Sequence, residues 1–192
     1  MQNRRNISFT VVAIIFLLLD QLTKYWIVHN VRFRIDEIEV IPGFFSIVHA
    51  QNPGAAFGMF GGFANRHVLF GIFTVIALGV VFDMLRKVPR TDLFMPTALG
   101  LVVSGAIGNA IDRVRGFLPI EALKNNGKVT DFLRVYTDNP SAKEWLINNF
   151  GTYEWPTFNV ADIALVVGVC MFVIHYFFLE ESKPEEVKPK QA

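Results

Sequence analysis

Apolar positions gather into four long runs, approximately Ile7 to Val28, His67 to Leu85, Leu93 to Ile111 and Phe158 to Leu179, with polar stretches between them. Each run is close to the roughly 20 helical residues needed to cross a hydrocarbon core. A chain in lipid must satisfy its backbone amides within each segment or close into a barrel. Strand-type alternation is missing from the runs, so the pattern predicts four transmembrane helices. The first polar stretch, 29–66, holds Ile38 to Ile41 and Phe44 to His49, two β-prone runs separated by Pro42-Gly43, and predicts a small hairpin or sheet. The second, 112–157, predicts a short helix from Ser141 to Phe150, started by Pro140-Ser141, with Trp145, Leu146 and Phe150 forming an apolar stripe suited to the interface. The expected fold is an all-α membrane protein, a single domain over residues 1–180. It has four spans, a small extracytoplasmic β element and a short interfacial helix, followed by a disordered tail at 181–192.

Composition agrees: 52% of the 192 residues are hydrophobic and 14% aromatic, more than an ordinary soluble domain of this length carries. A net charge of +1 and the lack of any long basic run argue against a nucleic-acid partner. Cys170, the single cysteine, excludes an intrachain disulfide. Arg4 and Arg5 before the first run give it the look of a cleavable signal, but Asp20, Gln21 and Lys24 follow in place of a small-residue cleavage site, so the helix reads as retained. The connection Arg86 to Asp92 carries three basic residues and is therefore expected in the cytoplasm, as are both termini.

That orientation puts three polar clusters toward the same outer face. Ionisable groups at membrane depth are costly and are candidates for function, with structural pairing as the competing reading. Asp20 and Lys24 stand four apart on one helical face, in the order that favours an ion pair. Asn109, Asp112 and Arg113 share a face at the end of the third run, where catalysis and lipid-phosphate anchoring both remain open. Asn159 and Asp162 have the spacing of an N-cap and the acid that follows it. Asn52-Pro53-Gly54-Ala55-Ala56-Phe57-Gly58 reads as a turn-rich loop. On spacing alone, Asp112 is the natural partner of Asp162. Four histidines, His29, His49, His67 and His175, show no metal-ligand spacing.

Five blocks together resemble the lipoprotein signal peptidases, also called signal peptidase II. They are Asp20-Gln21-Leu22-Thr23-Lys24, Asn52 to Phe57, Gly108-Asn109-Ala110-Ile111-Asp112-Arg113, Gly127 to Phe132 (G-x-V-x-D-F), and Phe158-Asn159-Val160-Ala161-Asp162. The resemblance covers nearly the whole chain and implies a bacterial cytoplasmic (inner) membrane aspartyl endopeptidase with its site near the outer leaflet. It implies that Asp131 and Asp162 are the catalytic pair, with Asp112 supporting. Asn52, Asn109, Arg113 and Asn159 would position substrate or shape the site, Asp20 and Lys24 would support it, and Gly54 would keep its loop close to substrate. The implied substrate is a prolipoprotein carrying a diacylglyceryl group, cut just before the lipidated cysteine. No metal or cofactor is implied, membrane lipids are the surroundings, and a monomer is expected. The connection Val114 to Thr130 is longer than the family's.

Two rivals follow from the same residues. One is a serine-lysine peptidase using Ser104 and Lys24; the other is a transporter or lipid-binding bundle whose buried charges form a structural network.

Overall fold

The structure, a computed structural model, describes residues 4–54, 66–115 and 127–179. In chain order the elements are α1 (Arg4–Asn30), β1 (Glu37–Ile41), β2 (Phe45–Asn52), α2 (Arg66–Lys87), α3 (Phe94–Arg115), β3 (Val129–Val135), α4 (Pro140–Phe150) and α5 (Val160–Ile174), which ends in a π-helical turn, His175–Leu179. Four of these helices are long and apolar enough to span a membrane, and they coincide with the four apolar runs. The predicted hairpin is present as β1 and β2, and the short helix as α4. Asn139 caps α4 by accepting from the Ala142 amide, and Gly151, at φ +74°, ends it in the left-handed conformation that glycine adopts without strain. The Ala55 to Gly58 part of the loop motif, most of the connection after Arg115 that is expected to be lengthened, and the 181–192 tail lie outside the described residues.

The third helix is the centre of the bundle. Over half of its apolar window (56%) is buried against 11–17% for the other spans, and α5, α1 and α2 all pack on it. Small residues make that possible. A Cβ at Gly105 would collide with the Ala161 carbonyl oxygen, and one at Gly108 with the Asp20 carboxylate, so α3 touches both α5 and α1 at distances closed to any side chain. The outward faces carry exposed Leu18, Leu22, Val75, Val166 and Phe178, as expected where hydrocarbon rather than water is the solvent.

The β element is a three-stranded antiparallel sheet in the order β1-β2-β3. Its third strand, Val129–Val135, was not predicted from the sequence. It pairs with β2 so that Ala50 faces Asp131 and Asn52 faces Val129. Asn52 is thus the diagonal neighbour of Asp131 on one face of the sheet. Phe132 points the other way and packs with Ile27 of α1 and with Val31 just beyond its end. That contact docks the sheet on the bundle and turns Asp131 toward the start of α5. Residues 153–158 then run back along β3: the Trp155 amide donates to Val135, and those of Phe132 and Leu133 both donate to Phe158.

Candidate active site

Three asparagines and four acids meet where β3, α1, α3 and α5 converge. Asn159 begins α5 with a capping box: its side-chain oxygen accepts from the Asp162 amide at 3.0 Å, and Asp162 Oδ2 accepts from the Asn159 amide at 3.1 Å. The capping expected from spacing is therefore present, and it does more than close a helix. With its oxygen committed to the cap, Asn159 Nδ2 donates to Asp131 Oδ1 at 2.6 Å and to Asn109 Oδ1 at 3.2 Å. Asn109 Nδ2 in turn donates to Asp162 Oδ1 at 2.8 Å. The two aspartates are thus bridged by two amides.

Behind this layer lies a buried ion network. Lys24, 1% exposed, reaches Asp20 and Asp112 at 3.0 Å each and donates to Asn109 Oδ1 at 3.0 Å. The Asp20–Lys24 pair expected from spacing is joined by Asp112, which also accepts from the Thr130 amide at 3.2 Å. Asp20 Oδ1 accepts from the Ala161 amide at 3.0 Å, tying α1 to the first turn of α5. Such a network tolerates burial because each charge has an opposite neighbour and its lone pairs are occupied. Gln21 and Arg115, which the sequence reading did not single out, close it: Arg115 donates to Gln21 at 2.9 Å and contacts Asp112 at 3.5 Å. Their signal was the position of Gln21 inside the Asp20 to Lys24 block. Asp112 therefore faces Lys24 and β3, and the acid that shares cavities with Asp162 is Asp131.

Two clefts flank Asp131 and Asp162. The larger, about 840 Å³, is walled by the 154–158 segment and by Ile163, Val166 and Val167 of α5. The smaller, about 360 Å³, lies between α2 and α3, with Phe70, Phe73 and Ala106 on its sides. Asn52 and both acids line each of them. Gly54 is buried; its amide donates to Asn52 Oδ1 at 2.9 Å and its carbonyl accepts from Arg113 at 3.4 Å. Arg113 also lies over the Phe70 ring, so it holds the loop to the bundle. Ser104 is buried, with its hydroxyl spent on the Leu101 carbonyl of its own helix at 2.8 Å, while the Lys24 ammonium is spent on acids; this is not the arrangement of a serine-lysine pair.

Burial is the main reason the Asp131 carboxyl is pushed up to about 7, and the negative charge of Asp162 adds to it. Asn159, Asn52 and Lys24 offset part of the rise. Asp131 Oδ2 is buried with no hydrogen-bond partner among the described residues, and Asn52 acts on the carboxyl from its diagonal position on β2. A carboxyl poised near neutrality beside a second carboxyl can give and take protons in turn. Among the described residues no three metal-ligating side chains cluster.

The same arrangement of elements occurs in known proteins. A bacterial membrane enzyme solved by the in meso method at 2.3 Å resolution superposes with a TM-score of 0.70 at 32% identity, covering 94% of each chain. A second, solved at 1.9 Å, gives 0.67, again at 32% identity, over 88% of this chain and 92% of the other. The lipoprotein signal peptidase of Syntrophus aciditrophicus is 36% identical over 179 residues, 92% of this chain and 96% of its own. That of Chlorobium luteolum is 39% identical over 168 residues, 88% of this chain and 90% of its own. The signal peptidase (SPase) II family matches residues 12–178, which takes in most of the first span, the other three spans and the whole polar junction. The chain belongs to the signal peptidase II family.

Proposed function

We propose that the chain is an aspartyl endopeptidase that removes the signal peptide of diacylglyceryl-modified bacterial prolipoproteins, cutting before the lipidated cysteine. The observation that carries this reading is the pairing of Asp131 and Asp162 through Asn159 and Asn109, at the meeting of two clefts. Two adjacent carboxyls share a proton, so one can take a proton from water while the other polarises the scissile carbonyl. Asn52, Gly54, Asn109, Arg113 and Asn159 position substrate or shape the site; Asp20, Lys24 and Asp112 hold the helices that carry the pair.

The wall of the larger cleft on α5 continues into that helix's exposed apolar face, Val166 and Val167 included, so a substrate confined to the bilayer reaches the acids without leaving it. We read both termini as cytoplasmic and the acids as near the outer leaflet of the inner membrane, an orientation that the basic Arg86 to Asp92 connection supports. We take residues 1–180 as one domain working as a monomer among membrane lipids. The test is cleavage of a diacylglyceryl-modified precursor in detergent by wild type, Asp112→Asn, Asp131→Asn and Asp162→Asn, with folding checked for each. Loss of cleavage is expected in the Asp131 and Asp162 variants with fold retained; an active Asp131→Asn would overturn the reading.

A further inference from the structure

We propose that Lys24 is a positioning residue: it fixes the side-chain amide of Asn109 and so places the pair's shared proton on Oδ2 of Asp131, leaving Asp162 as the ionised partner. The inference rests on the aspartate-pair reading and assigns each acid its part in it. An ammonium has only donors, so the Asn109 atom facing Lys24 must be the oxygen. A flipped amide would set Nδ2 against two donors, Lys24 Nζ and Asn159 Nδ2, and set two acceptor oxygens against each other at Asp162. Asn109 therefore presents Nδ2 to Asp162 Oδ1. Asn159 is fixed independently, because its oxygen must accept from the backbone amide of Asp162.

The consequence is an unequal pair. Asp162 receives a donor on each oxygen, from Asn109 and from the Asn159 amide. Asp131 receives one on Oδ1, and its Oδ2 is the carboxylate oxygen of the four with no donor among the described residues. Hydrogen bonds donated to a carboxylate favour its charged form, so the proton sits at Asp131 Oδ2. The charged groups that act directly on Asp162 are Arg113 from α3 and Asp131 from β3, while Lys24 from α1, paired with Asp20 and Asp112, stands behind Asn109. In the reaction Asp162 removes a proton from water as the water oxygen bonds the scissile carbonyl carbon, and Asp131 gives its proton to the carbonyl oxygen. On collapse, Asp162 returns its proton to the leaving nitrogen as the carbon–nitrogen bond breaks. Asp131 regains one from the second hydroxyl, and the starting state is restored.

The test is the pH profile of precursor cleavage by the full chain in lipid nanodiscs, for wild type, Lys24→Met and Asn109→Asp. The infrared carboxylic-acid band is recorded for wild type, Asp131→Asn and Asp162→Asn. Both profile variants are expected to lose about 100-fold in kcat with KM little changed, and to displace the acid limb of the profile, because the amide that donates to Asp162 Oδ1 is no longer held in place. The protonated-carboxyl band is expected to vanish in Asp131→Asn. If Lys24→Met does not fold, Asn109→Asp decides, since its carboxylate keeps the size but cannot donate to Asp162. Unmoved acid limbs in folded variants, or a band lost with Asp162→Asn and kept in Asp131→Asn, overturn the inference while leaving the aspartate pair standing. An active Asp131→Asn overturns both.

Discussion

Asn159 donates its side-chain amide to Asp131 across 2.6 Å while its side-chain oxygen caps the helix that carries Asp162. One residue therefore sets the relative position of two acids 31 positions apart in the chain (131 to 162). Substitution separates the two duties. Asn159→Ser keeps a capping oxygen and loses the amide donor; Asn159→Ala loses both. Both are expected to lose about 100-fold in kcat, whereas thermal unfolding in detergent should show Asn159→Ala less stable than Asn159→Ser by about 1 kcal/mol, the worth of a cap. Equal stability of the two variants would mean that the cap contributes nothing here.

Close approach at α3 predicts a second contrast. Gly105→Ala and Gly108→Ala drive a methyl into the Ala161 carbonyl and the Asp20 carboxylate, and since α1 and α5 cannot withdraw without breaking the ion network, each is expected to cost more than about 2 kcal/mol. Gly79→Ala in α2 meets nothing within 4 Å and is expected to stay within about 0.5 kcal/mol of wild type. Unfolding temperatures in one detergent rank the three.

These contrasts mark what the sequence could and could not disclose. The four spans, the hairpin and the Asn159–Asp162 cap are local patterns: an apolar run, a Pro-Gly turn, a polar residue three positions before an acid. Each can be read where it stands. Asp112 misleads because its helix-end position resembles that of Asp162, while its partner is Lys24, 88 positions earlier (112 − 24), and the Thr130 amide on a strand that only exists once β2 pairs with it. The β-branched and aromatic residues of Val129–Val135 carry a strand signal after the turn at Gly127, but the strand is completed only by its distant partner β2. Family likeness pointed to Asp131; the sheet register explains how it gets there. Gln21 and Arg115 pair across 94 positions, a distance no local pattern spans.

Arg134 predicts an effect on binding without one on chemistry. Its guanidinium holds Glu154 at 2.7 Å and Glu37 at 2.8 Å and lies over Tyr136, so it clamps the start of the 154–158 wall to the sheet. Arg134 is 19% exposed and its acids about 40%, which limits the clamp to about 1 kcal/mol. Arg134→Gln is expected to raise KM about fivefold and leave kcat within about twofold. Added salt should reproduce part of the KM change in wild type and none in the variant.

The raised carboxyl of Asp131 makes stability and activity both fall as pH rises, while the substitution Asp131→Asn moves the two in opposite directions. In the unfolded chain the group has its ordinary value of 3.8, and in the folded protein it is pushed up to about 7 by burial and by Asp162. Between those values the folded state holds a proton that the unfolded state has released. This group's contribution therefore favours folding at the acid end and is lost as pH rises from about 4 to 7, with the full penalty present at pH 8. Asp131→Asn cannot ionise, so its unfolding temperature should lie above that of wild type at pH 8 and the difference should shrink toward pH 4. Cleavage responds the other way to the same substitution, because the proton that destabilises by leaving is the one the carbonyl oxygen needs. Wild-type kcat/KM should fall above about pH 7, and Asp131→Asn should be inactive across the range while more stable at its alkaline end. A variant as alkali-sensitive in its unfolding as wild type would show that the buried charge penalty belongs to another residue.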